Sequence, residues 1–595
     1  VQKIDIRKLI TAKKPQLIQK VPDFAKGPLF KVLQRAIRQR EINEFIATNS
    51  DKYGAEFIDE LFEVLDFNYY ISSRDRARIP SEGRLIIVAN HPLGALDGLS
   101  LLRAVLEVRT DAKIVANDLL MQLDNLSELF LPVDLYSVSS QKQNMINIKK
   151  TLQNEGVVIL FPAGEVSRMS AKGISDGKWS KGAITLATQM NASVMPIHIE
   201  GRNSIPFYSL SLVKREIGTF MLANEIFTGK GKEIKFTAGD PIPAMAFHKS
   251  IKTSYHAKML RKHLYDIGSG RRGIFKTEKT IIHPISRQAV KRELLLSDEL
   301  GETRDGKKIY LVEYEGAKQV MREIARLREL TFRKVGEGTG YKSDSDKYDR
   351  YYKHIVLWDD KDLEIVGSYR LGICKDIVSK MGKSRLYNSE LYEFSNRFDP
   401  LFEIGLEVGR SFVQQKYWGS AALDYLWQGI GVFLRANPQI RYLFGAVSIS
   451  DNYPEDAKSL LITYYKKWYA GDTTLLKARN PYKMTLNSSS YSSQILDGKD
   501  YEEDFRKMKA ALKNFGLSVP VLLRKYTDIC HYGGVEYLGF NVDENFNHSV
   551  DCFINVDLHQ IRKEFRDRYF TEQKSFAKRT KGRESVVLPR ESETA

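Results

Sequence analysis

The sequence predicts an α/β protein of two domains: an N-terminal α/β domain with a helical extension, and a C-terminal α+β domain with a mixed sheet. Three observations predict it. From residue 84 to about 238 short apolar runs alternate with helical stretches, residues 264–290 form a Gly- and charge-rich connection, and a second strand-and-helix pattern follows. A chain of 595 residues also exceeds what one hydrophobic core serves, so at least two domains are expected.

Residues 1–80 read as helical, because Leu29, Phe30, Leu33, Ile37, Phe45 and Ile46 recur near helical spacing, with Lys31, Arg35, Arg38 and Arg40 between them. Two readings stay open for this region. One is a domain-capping helix with a solvated basic face; the other lies on a membrane with its apolar stripe in lipid. Residues 81–263 make the first domain, with candidate strands in "RLIIVAN", "AKIVAN", "GVVILFPAG" and "SVMPIHIEG". Each run ends in polar or Gly/Pro residues, the rhythm of a largely parallel sheet that keeps its sites just past the strand ends. After the connection at 264–290, residues 291–572 make the second domain. There "KHIVLWDDKDLEIVGSYRL" reads as two strands and a polar turn, "LFEIGLEVGRSFV" as a strand and "SAALDYLWQGIGVFLRA" as a helix. "VEYLGFNVD" and "DCFINVDL" resume the sheet, and residues 573–595 are expected to be disordered.

Hydrophobic content of 43% and aromatic content of 11% fit a folded protein. No run approaches the roughly 18 apolar residues that cross a bilayer, and "VQKIDIRKLITAKKPQ" lacks the apolar core of a secretory signal. Cys374, Cys530 and Cys552 are too scattered for a disulfide framework or a zinc cluster. The expectation is a reducing, cytoplasmic compartment. A net charge of +17 draws polyanions: nucleic acid, acidic proteins or anionic lipid. Nucleic acid is set aside, because there is no zinc-finger spacing, no RRM signature and no gathered basic arm.

The stretch "RLIIVANHPLGALDGLSLL" interrupts an apolar strand with His91 and reaches Asp97 soon after. A strand-end histidine of near-neutral pKa can take a proton from an alcohol as the alcohol attacks a carbonyl. A carboxylate on its other ring nitrogen holds the tautomer, and Gly94 and Gly98 give a tight turn the freedom to bring Asp97 back. Further on, "ILFPAGEVSR" ends a strand with Gly164, Glu165 and Arg168, the last a candidate for binding an anionic group. Met195-Pro196-x-His198-x-x-Gly201 follows, also expected at a strand end.

In that order these motifs resemble the glycerolipid (lysophosphatidate-type) acyltransferases over roughly residues 70–250. The resemblance implies that His91 is the general base, that Asp97 orients it, and that residues 161–168 bind the acceptor. Five residues separate His91 from Asp97 where the family has four, so the turn must bulge. Ala163 stands in place of the family's Glu, with Glu165 two positions on, and "LPVDLYS" lacks a basic residue. These departures weigh against a glycerol phosphate acceptor more than against acyl transfer.

In the second half, Arg328 with Phe332, Asp346 and Asp349 in "DSDKYD", Arg370 in "GSYRL", and Glu407 with Arg410 in "LEVGR" each read singly as surface ion pairs. The Asp-x-Asp run lacks the EF-hand glycine and terminal glutamate, so no metal is expected. Together their order and spacing resemble the acyl-homoserine-lactone synthases, a branch of the GNAT acyltransferases. "GEGTGY" stands where that family has a Trp, and "KYWGSAA" loosely resembles its pyrophosphate turn. "LEVGRSFVQQKYW", "LDYLWQGIGVFL" and "YLFGAVSIS" resemble the ornithine-lipid N-acyltransferases more closely, over about residues 290–480.

Two such domains on one chain resemble the bifunctional synthases of ornithine lipid and related aminolipids. The resemblance implies that the C-terminal domain N-acylates an amino acid, ornithine or glycine, with a 3-hydroxyacyl group, Glu407 assisting loss of the amine proton. It implies that the N-terminal domain then O-acylates the 3-hydroxyl of the lyso-lipid through His91. The implied donor is an acyl-carrier-protein thioester, with no bound cofactor. The acidic carrier protein and an anionic membrane surface are the expected partners, and the expected location is the inner membrane face, held peripherally. Two alternatives remain: a single-activity lysophospholipid or glycerol-phosphate acyltransferase whose C-terminal domain binds substrate or carrier, and a non-catalytic membrane-docking or signalling protein. A third, an autoinducer synthase, is disfavoured by the attached O-acyltransferase-like half.

Overall fold

The computed structural model describes residues 5, 7, 22–36, 38–116, 121, 123–132, 138–170, 173–204, 207–208, 233–248 and 250–570. The chain divides into two compact units, Val1–His283 and Pro284–Ala595. The division falls inside the connection expected at 264–290, whose first residues belong to the helix Thr253–Gly268. The segment expected to be disordered, residues 573–595, lies outside the described residues, as do Ile37 and the side chain of Leu33.

The first unit holds strands β1 (Asn68–Ile71), β2 (Leu85–Ala89), β3 (Ala112–Ala116), β4 (Phe130–Pro132), β5 (Val157–Leu160), β6 (Arg168–Ser170), β7 (Gly173–Ser175), β8 (Ser193–Glu200) and β9 (Glu233–Ala238). Seven form one sheet in the order β1-β9-β8-β2-β5-β3-β4, and β6 and β7 make a separate hairpin. Every pairing in the large sheet is parallel except β8 with β9. Its centre reads as an unbroken apolar run because both faces are covered. Leu85, Ile87 and Ala89 enter one buried cluster, and Ile86 and Val88 enter the cluster on the opposite face.

One expectation is corrected here. Residues up to 80 are not helical throughout: after the helices Asp23–Ala36, Gln39–Thr48 and Gly54–Leu65, β1 pairs in parallel with β9. Its alternating side chains suit a sheet edge, where Tyr69 tilts against Phe236 with ring centroids 5.8 Å apart. Met195, Pro196 and His198 lie within β8 and Gly201 follows its end, as the candidate strand "SVMPIHIEG" has it; β9 extends the ladder to Glu200. In the first helix Phe30 is buried while Phe24 and Val32 are exposed. Among the described residues no helix is long and apolar enough to cross a membrane.

The second unit holds β10 (Asp298–Glu302), β11 (Lys308–Val312), β12 (Lys353–Asp359), β13 (Glu364–Ile373), β14 (Tyr392–Phe394), β15 (Gly405–Val413), β16 (Tyr442–Ile449), β17 (Leu476–Ala478), β18 (Val535–Asp543) and β19 (Ser549–Asp557). Eight form a mixed sheet ordered β10-β11-β12-β13-β15-β16-β19-β18, while β14 and β17 pair separately. The helix Ala422–Ala436 packs on one face through Leu426, Trp427 and Ile430. The helix Lys318–Val335 contributes Val320, Ile324 and Leu327 to a different cluster, with Tyr310 and Val356.

The parallel pair β15 and β16 departs from a regular ladder. Their register has three partners, Gly405 with Tyr442, Leu406 with Leu443 and Glu407 with Phe444, although both strands run on to Val413 and Ile449. Gly445 stands at the parting, where a Cβ would collide with the Val408 carbonyl. Gly445→Ala is therefore expected to destabilise this unit by about 1–3 kcal/mol. Four of the five tryptophans (Trp358, Trp418, Trp427 and Trp468) lie in it, so urea unfolding followed by tryptophan fluorescence reads the loss.

Candidate functional site

His91 follows β2 directly, and the chain turns over residues 92–94 before the helix Ala95–Leu106 begins. The turn passes through Gly94 at φ 99°, a backbone state L side chains rarely adopt, and this absorbs the extra residue between His91 and Asp97. Asp97, in the helix's first turn, is fully buried. Its Oδ2 accepts from His91 Nδ1 at 2.9 Å and from the amides of Leu93 and Gly94 at 2.8 and 3.1 Å. Burial pushes the Asp97 carboxyl upward, and the His91 ring and those two amides oppose it. With Nδ1 committed as donor, the lone pair sits on Nε2, for which no partner is found among the described residues. The ring is half-buried and stacks on Phe161 at 4.2 Å.

A residue that sequence reasoning missed holds this histidine in place. Asp176 Oδ1 accepts from the His91 amide at 3.1 Å and from Ser167 Oγ at 2.5 Å, and its Oδ2 accepts from Trp179 Nε1 at 2.9 Å. The Ser167 amide donates in turn to the His91 carbonyl at 2.7 Å. In sequence Asp176 stands in "SDGKW", which reads only as a turn. Asn90 and Asn203 complete the frame, donating to the carbonyls of Ile199 and Pro92, both at 2.8 Å.

The three predicted acceptor residues join this frame through Ser167. Gly164 closes a turn on the Phe161 carbonyl at φ 68°. Glu165 pairs with Arg168 at 3.8 Å, and the guanidinium lies 5.8 Å from the Phe207 ring. Nε and Nη1 of Arg168 are buried with no hydrogen-bond acceptor, so the site holds cationic donors in want of an oxygen.

The six residues predicted in the second half also come together. Arg370 lies opposite Gly409, Gly372 opposite Glu407, Glu407 opposite Phe444 and Ser448 opposite Asp551, so alternation puts Arg370, Glu407, Ser448 and Asp551 on one sheet face. Arg410 occupies a bulge in β15 at φ 48°, and this turns its side chain toward the same group. Arg328 grips Asp349 with two bonds of 2.9 and 2.7 Å and donates to the Asp344 carbonyl at 3.1 Å. Arg370 holds both oxygens of Asp346 at 2.7 Å and reaches Asp349 at 3.1 Å, and Arg410 lies 3.4 Å from Asp344. Asp346 also caps the turn at Lys347–Arg350, accepting from Tyr348 and Asp349 amides.

Burial would push the Asp349 carboxyl up, but Arg328 and Arg370 overcome it and hold the group far below the usual carboxylate range. Burial pushes the His354 imidazole down to about 4 against the pull of Asp349, so that ring is neutral. Glu407 is buried and satisfied: it accepts from the Tyr352 hydroxyl, the Tyr387 amide at 3.1 Å, and the Asn388 amide and Nδ2 at 2.8 and 2.5 Å. Such a carboxylate positions the turn at Tyr387 and Asn388.

Three further acids were not legible in the sequence. Burial, then Asp543 and Glu337, push the Asp551 carboxyl well above its usual range, with Arg410 opposing. Glu337 is pushed up to about 7 by burial, opposed by its bond to Ser448. No hydrogen bond to the Asp551 carboxyl is found among the described residues. Among the same residues no group of His, Cys, Asp and Glu is arranged to hold a metal ion.

A family described as acyltransferase matches residues 8–269, and one described as an acetyltransferase (GNAT) domain matches residues 327–428. A glycine N(alpha)-acyltransferase of Bacteroides thetaiotaomicron is 31% identical over 303 residues, 49% of this chain and 89% of its own length. A lyso-glycine lipid O-acyltransferase of the same organism is 32% identical over 272 residues, 44% of this chain and 97% of its own. An L-ornithine N(alpha)-acyltransferase of Rhodobacter capsulatus is 27% identical over 265 residues, 42% of this chain and 91% of its own.

Two outcomes follow from the second cluster. Asp349→Asn leaves two buried guanidiniums short of their shared carboxylate, and urea unfolding is expected to show a loss of about 3–5 kcal/mol. The folded chain holds the Glu337 proton to about pH 7, whereas an unfolded chain releases it near 4.5. The folded state thus binds more protons between those values, and this group's contribution to stability falls as pH rises through the window. Glu337→Gln is expected to flatten that fall, read as the urea midpoint from pH 4 to 8.

Proposed function

The chain belongs to the families of the glycine N(alpha)-acyltransferase and the lyso-glycine lipid O-acyltransferase, and from that premise we propose that this acyltransferase performs both transfers. Its C-terminal domain N-acylates glycine with a 3-hydroxyacyl group, and its N-terminal domain O-acylates the hydroxyl of the resulting lyso-lipid. The observation that carries this reading is that relatives which are separate proteins, each matched over nearly its whole length, meet here on one chain. Glycine is preferred to ornithine as acceptor because the glycine relative has the higher identity.

The chemistry of each site supports the division. In the O-transfer, His91 Nε2 takes the hydroxyl proton while the oxygen attacks the thioester carbonyl. The C–S bond then breaks, and the departing sulfur takes the proton back from the imidazolium. Asp97 keeps the ring in the tautomer that makes this possible and stabilises its charged form. In the N-transfer, glycine's ammonium must lose a proton before its nitrogen attacks. Glu407 was the first candidate for that step, but its oxygens already receive four donors. Asp551, on the same face and without a donor, is the better base, leaving Glu407 to position the pocket. Where β15 and β16 share no ladder, their facing edges suit an extended amide-bearing arm such as the pantetheine of an acyl-carrier-protein thioester. The +17 charge suits an acidic carrier and an anionic membrane face. A shared chain keeps a poorly soluble lyso-intermediate at raised effective concentration.

Expression in a host that makes no aminolipid, followed by lipid mass spectrometry, tests the reading. The wild type is expected to give a diacyl glycine lipid, and His91→Ala only the monoacyl amide. Asp551→Asn and Glu407→Ala are each expected to lower both products by at least about a hundredfold, the scale of one general-base or positioning group. Loss of the amide in His91→Ala would overturn the division of labour. Undiminished lipid formation in Glu407→Ala and Asp551→Asn would favour a single-activity glycerolipid enzyme instead.

A further inference from the structure

The first unit contains a cleft of about 560 Å³ that the acyl-transfer chemistry does not use. The helix Thr253–Gly268 lines it with Arg261, Lys262, Tyr265 and Asp266, and the turn through Gly270 at φ 73° brings Arg271 and Arg272 to the same opening. The Arg271 amide fastens that turn to the Asp266 carbonyl at 2.8 Å. Four cations thus face one carboxylate, and Asp266 neutralises only Arg271, at 3.0 Å. Among the described residues no ion pair is found for Arg261, Lys262 or Arg272. Arg261 Nε is buried and lacks any acceptor, a cost to the fold.

The cleft also adjoins the machinery behind His91. Arg261 Nη2 donates to the Asp176 carbonyl at 2.6 Å, and the Asp176 amide donates to the Tyr265 hydroxyl at 2.8 Å. Three cations without an ion pair among the described residues, two of them guanidiniums and one of these, Arg261, lying over the Tyr265 ring, match a group with several charged oxygens in a fixed tetrahedral array, since the guanidinium fork meets phosphate with paired bonds. The space also admits the group attached to it. We propose that this cleft binds a phosphate group, carried either by an anionic lipid headgroup or by free phosphate.

The test uses the full chain, with Lys262→Glu/Arg272→Glu as the variant, because both side chains are exposed and without ion pairs among the described residues. Inorganic phosphate is titrated by calorimetry, and sedimentation measures binding to phosphatidylcholine vesicles with and without phosphatidylglycerol. Saturable phosphate binding that weakens at least about tenfold in the variant supports the site with free phosphate as its source. Binding confined to phosphatidylglycerol vesicles, and lost in the variant, supports it with the lipid as source. If neither probe binds, or the variant binds as the wild type does, the proposal is overturned. O-acylation of a detergent-dispersed lyso-acceptor, run in parallel, reports on the His91 reaction separately, so either idea can fail without the other.

Discussion

A carboxylate withdrawn from water loses several kcal/mol unless N–H groups replace the solvent it gave up, and both candidate centres are built around that requirement. Asp97 meets it with its own turn. The amides of Leu93 and Gly94 point at it because the chain reverses over three residues and then begins a helix, and the third donor is the ring it orients. The strand, the left-handed glycine and the helix start are therefore one device. Moving any of them would leave a buried charge without partners, which ties the position of His91 to the folding of the whole β2 segment. Asp176 repeats the arrangement a layer behind, taking one backbone donor and two side-chain donors so that the His91 backbone cannot drift from the 161–168 segment.

What could be read from the sequence follows from how local each signal is. The apolar run of β2 and the return of Asp97 to His91 depend on fewer than fifteen consecutive residues, and period and turn chemistry carry that information. Strand β1 escaped because four residues beside three amphipathic helices give no period of their own, and its partner β9 lies far along the chain. Asp176 escaped for a different reason. An aspartate before glycine is ordinary turn chemistry, and only tertiary folding sets it against the His91 amide. In the second unit the order of Arg328, Asp346, Asp349, Arg370, Glu407 and Arg410 was legible as a pattern. That Arg410 joins them through a bulge was not, since a left-handed arginine leaves no mark in composition.

The two units solve the burial problem with different materials. Asp97 relies mainly on backbone amides, whereas Asp346 and Asp349 rely mainly on guanidiniums, of which that of Arg370 lies over Tyr348, Tyr352 and Tyr387. Paired side chains of this kind fix geometry strongly but leave each member with little freedom to exchange protons. That restriction separates the two acids closest to the parting strands. A base needs a lone pair that no donor occupies and a proton affinity near that of its task. Glu407 has neither spare lone pairs nor donors it can release without unmaking the turn at Tyr387. Asp551 faces the same side of the sheet beside Ser448, and burial first, then Asp543 and Glu337, raise its hold on a proton against the pull of Arg410. Under the proposed function, the contrast gives positioning to the carboxylate that the sequence pattern brings forward, and proton transfer to one that the pattern passes over.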